Sequence, residues 1–199
     1  MNKKKRYFIV AVVLAAVVFG LYWNILDNEA TNWDDPALFK RTAIHDITVE
    51  NLKKVLSFDG GATYQPIRDL TYMIDFELWG VDASNVTFGM HLHSIALYLL
   101  MVLACWLFLL ELFKAFTDDH EFCFIWASIS SVIFAVHPVH VESVAWLYAR
   151  KEPLLGLFTF ISLWAFVRAR TFHWKYYLIS LISLLLAVLS KPTAVMIPA

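Results

Sequence analysis

Hydrophobic residues in this chain fall into long runs separated by polar stretches, and the run lengths set the first expectations. Residues 7–26, YFIVAVVLAAVVFGLYWNIL, carry no charge. A helix crossing the hydrocarbon core of a bilayer needs about 20 such residues at ~1.5 Å of rise each. Lys3, Lys4, Lys5 and Arg6 precede the run, and Asp27, Asn28 and Glu29 follow it. A cleavable signal peptide also starts basic, but its apolar part spans about 7–15 residues and ends in small ones. The run therefore reads as a retained first span with its amino end in the cytoplasm. A second apolar run covers 86–110, with His91 and His93 near its start. Three shorter runs follow at 122–136, 153–167 and 176–190. Each gives only about 22 Å of helix, short of a core of roughly 30 Å. The third and fourth are expected to extend into the polar motifs beside them, as spans over about 122–141 and 146–167. Polar side chains would then lie at membrane depth inside a bundle. Buried core helices of a soluble protein are the alternative.

The fold class expected from this pattern is an all-α membrane protein, a multi-span helical bundle. A long outer loop, 27–85, separates its first two helices. Counting crossings puts 27–85, 137–152 and Lys191 on the outer side and 168–175 on the inner side. Arg168, Arg170 and Lys175 in the short inner loop agree with the positive-inside rule. The tail KPTAVMIPA reads as the opening of a sixth run, so residues 1–199 are expected to be the amino-terminal part of a longer protein.

The loop 27–85 is too long to be a mere connector. Two helical pieces are expected within it. VENLKKVLSF (49–58) has apolar residues at 49, 52, 55, 56 and 58. PIRDLTYMIDFELWG (66–80) opens with a proline suited to a first helical turn and sets Leu70, Met73, Ile74 and Leu78 on one face. Phe58-Asp59-Gly60-Gly61 reads as a turn. Asn85-Val86-Thr87 matches a glycosylation sequon that abuts the second span.

Composition sharpens the class. Of 199 residues, 60% are hydrophobic and 17% charged, against roughly 45–50% and 25% in soluble domains. A net charge of −1 gives no reason to expect nucleic-acid binding. Cys105 and Cys123 lie in apolar runs, outside any metal-ligand spacing, and read as buried thiols.

Three polar clusters carry candidate chemistry. Trp33-Asp34-Asp35-Pro36 offers adjacent carboxylates just outside the first span, able to act as a general base or to hold a divalent cation; a solvated Asp-Pro turn is the plainer reading. His137-Pro138-Val139-His140-Val141-Glu142-Ser143 stands where the third span ends. If 138–151 is helical, Glu142, Trp146 and Arg150 share one face at i, i+4, i+8. Interfacial anchors with local ion pairs, a metal site and an anion or substrate site all fit that string. Ser190-Lys191-Pro192 ends the fifth span with a lysine that either snorkels or binds an anion. The crossing count puts all three clusters on the outer face. Cations there suit a lipid-linked phosphate, and a carboxylate suits proton removal from an incoming hydroxyl.

At these residues the chain resembles a known family. AVHPVHVESVAWLYARKEPLLGLF (135–158) is similar to the third-to-fourth-helix segment of bacterial membrane proteins bearing tetratricopeptide repeats, and of the transmembrane-and-TPR O-mannosyltransferases. Tyr64-Gln65-Pro66-Ile67-Arg68-Asp69-Leu70-Thr71-Tyr72 resembles their Tyr-Arg-Pro-Leu segment leading to Leu78-Trp79-Gly80. Trp33-Asp34-Asp35 and Ser190-Lys191-Pro192-Thr193-Ala194-Val195 match two further stretches, in order, over residues 8–199. The resemblance implies a GT-C fold and a membrane glycosyltransferase. Such an enzyme moves a hexose such as mannose from a polyprenyl-phosphate donor to a Ser/Thr hydroxyl of a protein acceptor outside the cytoplasm.

By resemblance, Asp34 and Asp35 are the catalytic pair, with a divalent cation conceivable between them. His137, His140, Glu142, Arg150, Lys151, Lys191, Tyr64 and Arg68 bind substrate or donor phosphate. Gln65 stands where the family usually has Arg, and a phosphate contact is lost or moved with it. A tetratricopeptide domain that binds protein partners is expected beyond residue 199, and 1–199 alone is not expected to catalyse. The motif wording points to a bacterial inner membrane. The rival reading is a non-catalytic membrane anchor for a protein-binding repeat domain. A transporter ranks third, since it would more often place charges in mid-span.

Overall fold

The computed structural model describes residues 2–58, 64–169 and 173–197. The expected Gly60-Gly61 turn and Arg170 lie outside them. Helix α1 (Lys3–Tyr22) leads through short 3-10 turns and two small helices, α2 (Asp35–Lys40) and α3 (Val49–Leu56), to α4 (Pro66–Trp79). The long α5 (Ala83–Lys114) follows, then α6 (His120–Val136), the one-turn α7 (His140–Ala145), α8 (Lys151–Ala169) and α9 (Trp174–Ser190). No strand occurs among the described residues. Three helical stretches, Lys3–Ile25, Asn85–Lys114 and Leu147–Ala169, are long and apolar enough to cross a membrane. His120–Val136 and Trp174–Ser190 are apolar but shorter, about 25 Å each at helical rise.

These five helices alternate in direction around α5. At one end Arg6 of α1 forms an ion pair with Glu121 of α6, and Tyr7 stacks on Phe124 at 5.7 Å. At the other end Tyr22 meets Tyr98 edge to face at 5.4 Å, and the Tyr98 hydroxyl donates to the Ala135 carbonyl at 3.0 Å. Helices α1 and α6 thus run together, against α5. Phe108 of α5 packs on Phe160 of α8, and Lys191, just past α9, reaches back to Glu152 at the start of α8.

Packing follows the membrane rule rather than the aqueous one. The buried face of α6 is Cys123, Ala127, Ser131 and Ala135, and that of α9 is Ser180, Ser183, Ala187 and Ser190. Phe122, Ile129, Ile133, Leu181 and Leu185 point outward. Small residues inside let backbones approach, and large apolar ones face a solvent as apolar as themselves. Where α8 meets α9, the Ser162 hydroxyl donates to the Ser180 carbonyl and the Ser180 hydroxyl to the Ser162 carbonyl, each at 3.0 Å. Both thiols are free and buried.

A second, smaller core lies beyond this end of the bundle, built from Leu38, Ile44, Val55, Tyr72, Met73, Phe76, Val86, Met90 and Leu147. Helix α4 ends at Gly80, whose φ of 76° suits glycine. Trp79 then folds onto Gly89 of α5, where a Cβ would stand 2.2 Å from the indole.

Three expectations are corrected. The third span does not reach residue 141: α6 stops at Val136, because Pro138 lacks an N–H and restricts His137 to extended backbone. Residues 138–151 are not one helix. Trp146 is extended, with φ −88° and ψ 119°, and a 3-10 turn, Leu147–Arg150, follows. Glu142 is exposed while Arg150 is fully buried, so they share no face. In α4 the buried face is Arg68, Asp69, Tyr72, Met73, Asp75 and Phe76, whereas Ile74 and Leu78 are exposed. Ion pairing, not hydrophobic periodicity, decides which side of that helix turns inward. In α3 only Val55 is buried.

Candidate functional site

The end of the bundle that carries the loop 27–82 also carries the segment 137–152 and Lys191. The link between the first two is Asp35. Its side chain is wholly buried. Oδ2 accepts from the Thr31 backbone N–H and hydroxyl, both at 2.8 Å, and Oδ1 accepts from the Tyr148 N–H at 3.0 Å. Pro36 sits in the first turn of α2, where its missing donor costs nothing. Asp34, one residue earlier, is exposed. The two adjacent carboxylates therefore have different jobs: Asp35 fastens the loop, and Asp34 is presented.

Both Asp35 oxygens are already taken by protein donors. Among the described residues no group of three or more His, Cys, Asp or Glu stands close enough to hold a metal.

Trp33 and Trp146 stand edge to face with ring centroids 6.1 Å apart. They line an open cleft of about 440 Å³ with Thr31, Asn32 and Glu142. The Tyr148 ring lies between two cations, with Arg68 Cζ and Lys151 Nζ each 4.9 Å from its centroid. Arg68 is buried and bonds Asp69 Oδ1 through Nε at 3.0 Å and Nη2 at 2.8 Å; Arg41 holds Oδ2 of the same carboxylate at 2.7 Å. The buried Arg68 Nη1 has no hydrogen-bond partner among the described residues. Burial opposes the charge on Arg68, but the Asp69 carboxylate and the neighbouring tyrosines outweigh it and hold its pKa above the ordinary value. Burial pushes the Tyr72 phenol far up as well. It stays a neutral donor, bonding the Leu147 carbonyl at 2.6 Å.

Arg150 is fully buried and does not face solvent. It pairs with Asp75, donates through Nη2 to the Met90 carbonyl at 2.8 Å, reaches Ser94 and Thr71 at 3.4 Å, and stacks on Tyr72 with Cζ 4.5 Å from the ring centroid. Every guanidinium nitrogen is engaged within the protein. Asp75 also takes His93 Nδ1 at 2.8 Å.

The other expected site residues divide. Lys191 Nζ bonds both Glu152 oxygens, at 2.7 and 2.8 Å. His140 packs on Phe134 at 4.5 Å and faces an apolar cleft of about 420 Å³ shared with Ser143, Glu152 and Phe160; burial and then His137 lower its pKa. His137 is exposed, its Nδ1 accepting from the Val139 N–H at 3.2 Å. Tyr64 donates to the Leu56 carbonyl at 2.8 Å and packs on Phe58, outside the Asp35–Tyr148 group. No sequence motif assigns a role to Asp75, Asp69, Arg41, His93 or Thr31. The available signal is the pair Asp69 and Asp75 in a helix whose other charged residues are Arg68 and Glu77.

Against curated proteins, the chain is 28% identical over 170 residues to a protein O-mannosyl-transferase of Caenorhabditis elegans. The match covers 84% of this chain and 22% of the relative, so the chain spans about a fifth of the length of the protein it resembles. No protein-family model matches the chain, and no solved structure does.

Proposed function

We propose that this chain is the amino-terminal part of a GT-C-type membrane glycosyltransferase. In this reading it transfers a hexose from a polyprenyl-phosphate carrier to a Ser/Thr hydroxyl of a protein acceptor, with its amino terminus in the cytoplasm and its acidic loop on the other face. The observation that carries the reading is the Asp35–Tyr148 clamp. It fixes an exposed carboxylate, Asp34, at the end of the bundle where Arg68, Lys151 and Lys191 bring positive charge. Similarity to a named O-mannosyl-transferase supports it from the sequence side.

The chemistry needs little more. Asp34 removes the proton as the acceptor oxygen attacks the anomeric carbon, and the bond from that carbon to the phosphate oxygen breaks. The departing lipid phosphate takes up the negative charge beside Lys151, whose Nζ stands 4.9 Å from the Tyr148 ring centroid. Oriented cations act most strongly where water is excluded. Tetratricopeptide repeats carboxy-terminal to this chain would gather the protein partners.

The test is transfer of labelled hexose by the full-length protein in membranes supplied with a polyprenyl-phosphate hexose and a Ser/Thr peptide. Base-labile label on the peptide is the expected result. No transfer with any such donor would favour the membrane-anchor reading.

A further inference from the structure

The cleft between Trp33 and Trp146 is the feature of this end of the bundle that the phosphate chemistry leaves unused. Trp33 is 81% exposed, a large apolar ring held at the surface. It is not there by default: its neighbour Asp35 is pinned by three donors, and Trp146 is set by an extended break between α7 and the 3-10 turn. Two separate backbone devices thus converge on one aromatic pair. The other lining groups are the Thr31 hydroxyl, the Asn32 amide and the Glu142 carboxylate. Among the described residues no Lys, Arg or His lines the cleft. That lining is wrong for a phosphate, which wants cations. It is right for the apolar face of a neutral ring: indole faces receive the C–H face of a pyranose, and the few polar groups at the edge, from Asn32 and Glu142, meet its hydroxyls. About 440 Å³ falls within the roughly 300–1,000 Å³ of small-molecule sites. Asp34 follows Trp33 directly in the chain.

We infer that the Trp33–Trp146 cleft holds the pyranose ring of the sugar, separately from the cations that hold its phosphate. The inference rests on the transferase reading for the carrier of that sugar, and it names which residues select the sugar itself. Trp33 supplies the stacking face, and Glu142 and Asn32 hydrogen-bond the ring hydroxyls.

The experiment uses full-length protein in nanodiscs and three probes: polyprenyl-phosphate hexose, polyprenyl phosphate without sugar, and methyl α-mannoside. Trp33→Ala is expected to weaken the sugar-bearing lipid about tenfold, leave the bare lipid phosphate unchanged and abolish saturation transfer to the methyl mannoside. Trp33→Phe should restore most of each. Equal weakening of both lipids, or of neither, overturns the cleft as a sugar site. If the wild type binds neither lipid, the transferase reading fails by itself. The mannoside then decides the cleft: a signal lost in Trp33→Ala sustains the inference, and no signal in the wild type overturns it. Binding of a Ser/Thr peptide that depends on Trp33, with no mannoside signal, assigns the cleft to the acceptor and also overturns it.

Discussion

The carboxylate of Asp35 accepts the backbone N–H of Tyr148 at 3.0 Å across 113 residues of chain. This bond ties the loop after the first helix to the break before the eighth. It sets Trp33 against Trp146 and leaves Asp34 facing outward. Replacing Asp35 by Ala strands the Tyr148 N–H in a half-buried position. An unmet buried donor costs about 1–3 kcal/mol, and a corresponding drop in the unfolding midpoint of purified protein is expected. Asp35→Asn keeps one acceptor oxygen and should fall between Ala and the native residue. An unchanged midpoint in Asp35→Ala would show that the clamp is not holding the loop.

The Asp75–Arg150 pair is buried on both sides, with side-chain exposures of 1% and 0%. Removing one partner of a buried pair typically costs about 3–5 kcal/mol, because the other charge is left without compensation. Asp75→Ala should therefore be among the most destabilising single changes at this end of the bundle. The double variant Asp75→Leu with Arg150→Met should recover part of the loss. Equal stability of Asp75→Ala and the native chain, measured by thermal unfolding, would contradict the pairing.

The proposed orientation, with the amino terminus in the cytoplasm, rests on the alternating helices and the basic residues 3–6. Val139 is 65% exposed and Phe116 81% exposed, at opposite ends of α6. A cysteine at 139 should react with an impermeant thiol reagent in intact cells, and one at 116 should react only after permeabilisation. The reverse pattern would invert the topology.

The bundle was legible in the sequence because run length and charge-free composition are local properties. The first two spans and the helix over 66–80 appear nearly where the apolar runs put them. The Asp35–Tyr148 and Asp75–Arg150 contacts were not legible, since no spacing rule links residues 113 or 75 positions apart. The expected face joining Glu142 to Arg150 failed for a physical reason. Extended backbone at Trp146 lets the Leu147 carbonyl accept from Tyr72, a tertiary gain that overrides helical continuity. Arg150 consequently turns inward to Asp75, and Lys151 is left half-buried beside Tyr148. The face of α4 was misjudged because its buried side is ionic, and a hydrophobic pattern does not register paired charges.

The central claim is that the exposed Asp34 acts as a base on a platform held by Asp35. Full-length Asp34→Asn, assayed for hexose transfer from a polyprenyl-phosphate donor and for donor binding, addresses it most directly. General-base contributions are about 10²–10⁴-fold, so kcat should fall by that factor while donor affinity and the unfolding midpoint stay at wild-type values. Asp35→Asn should lower both turnover and stability. Wild-type kcat in Asp34→Asn would contradict the claim, and wild-type kcat in both variants would remove the acidic pair from the mechanism.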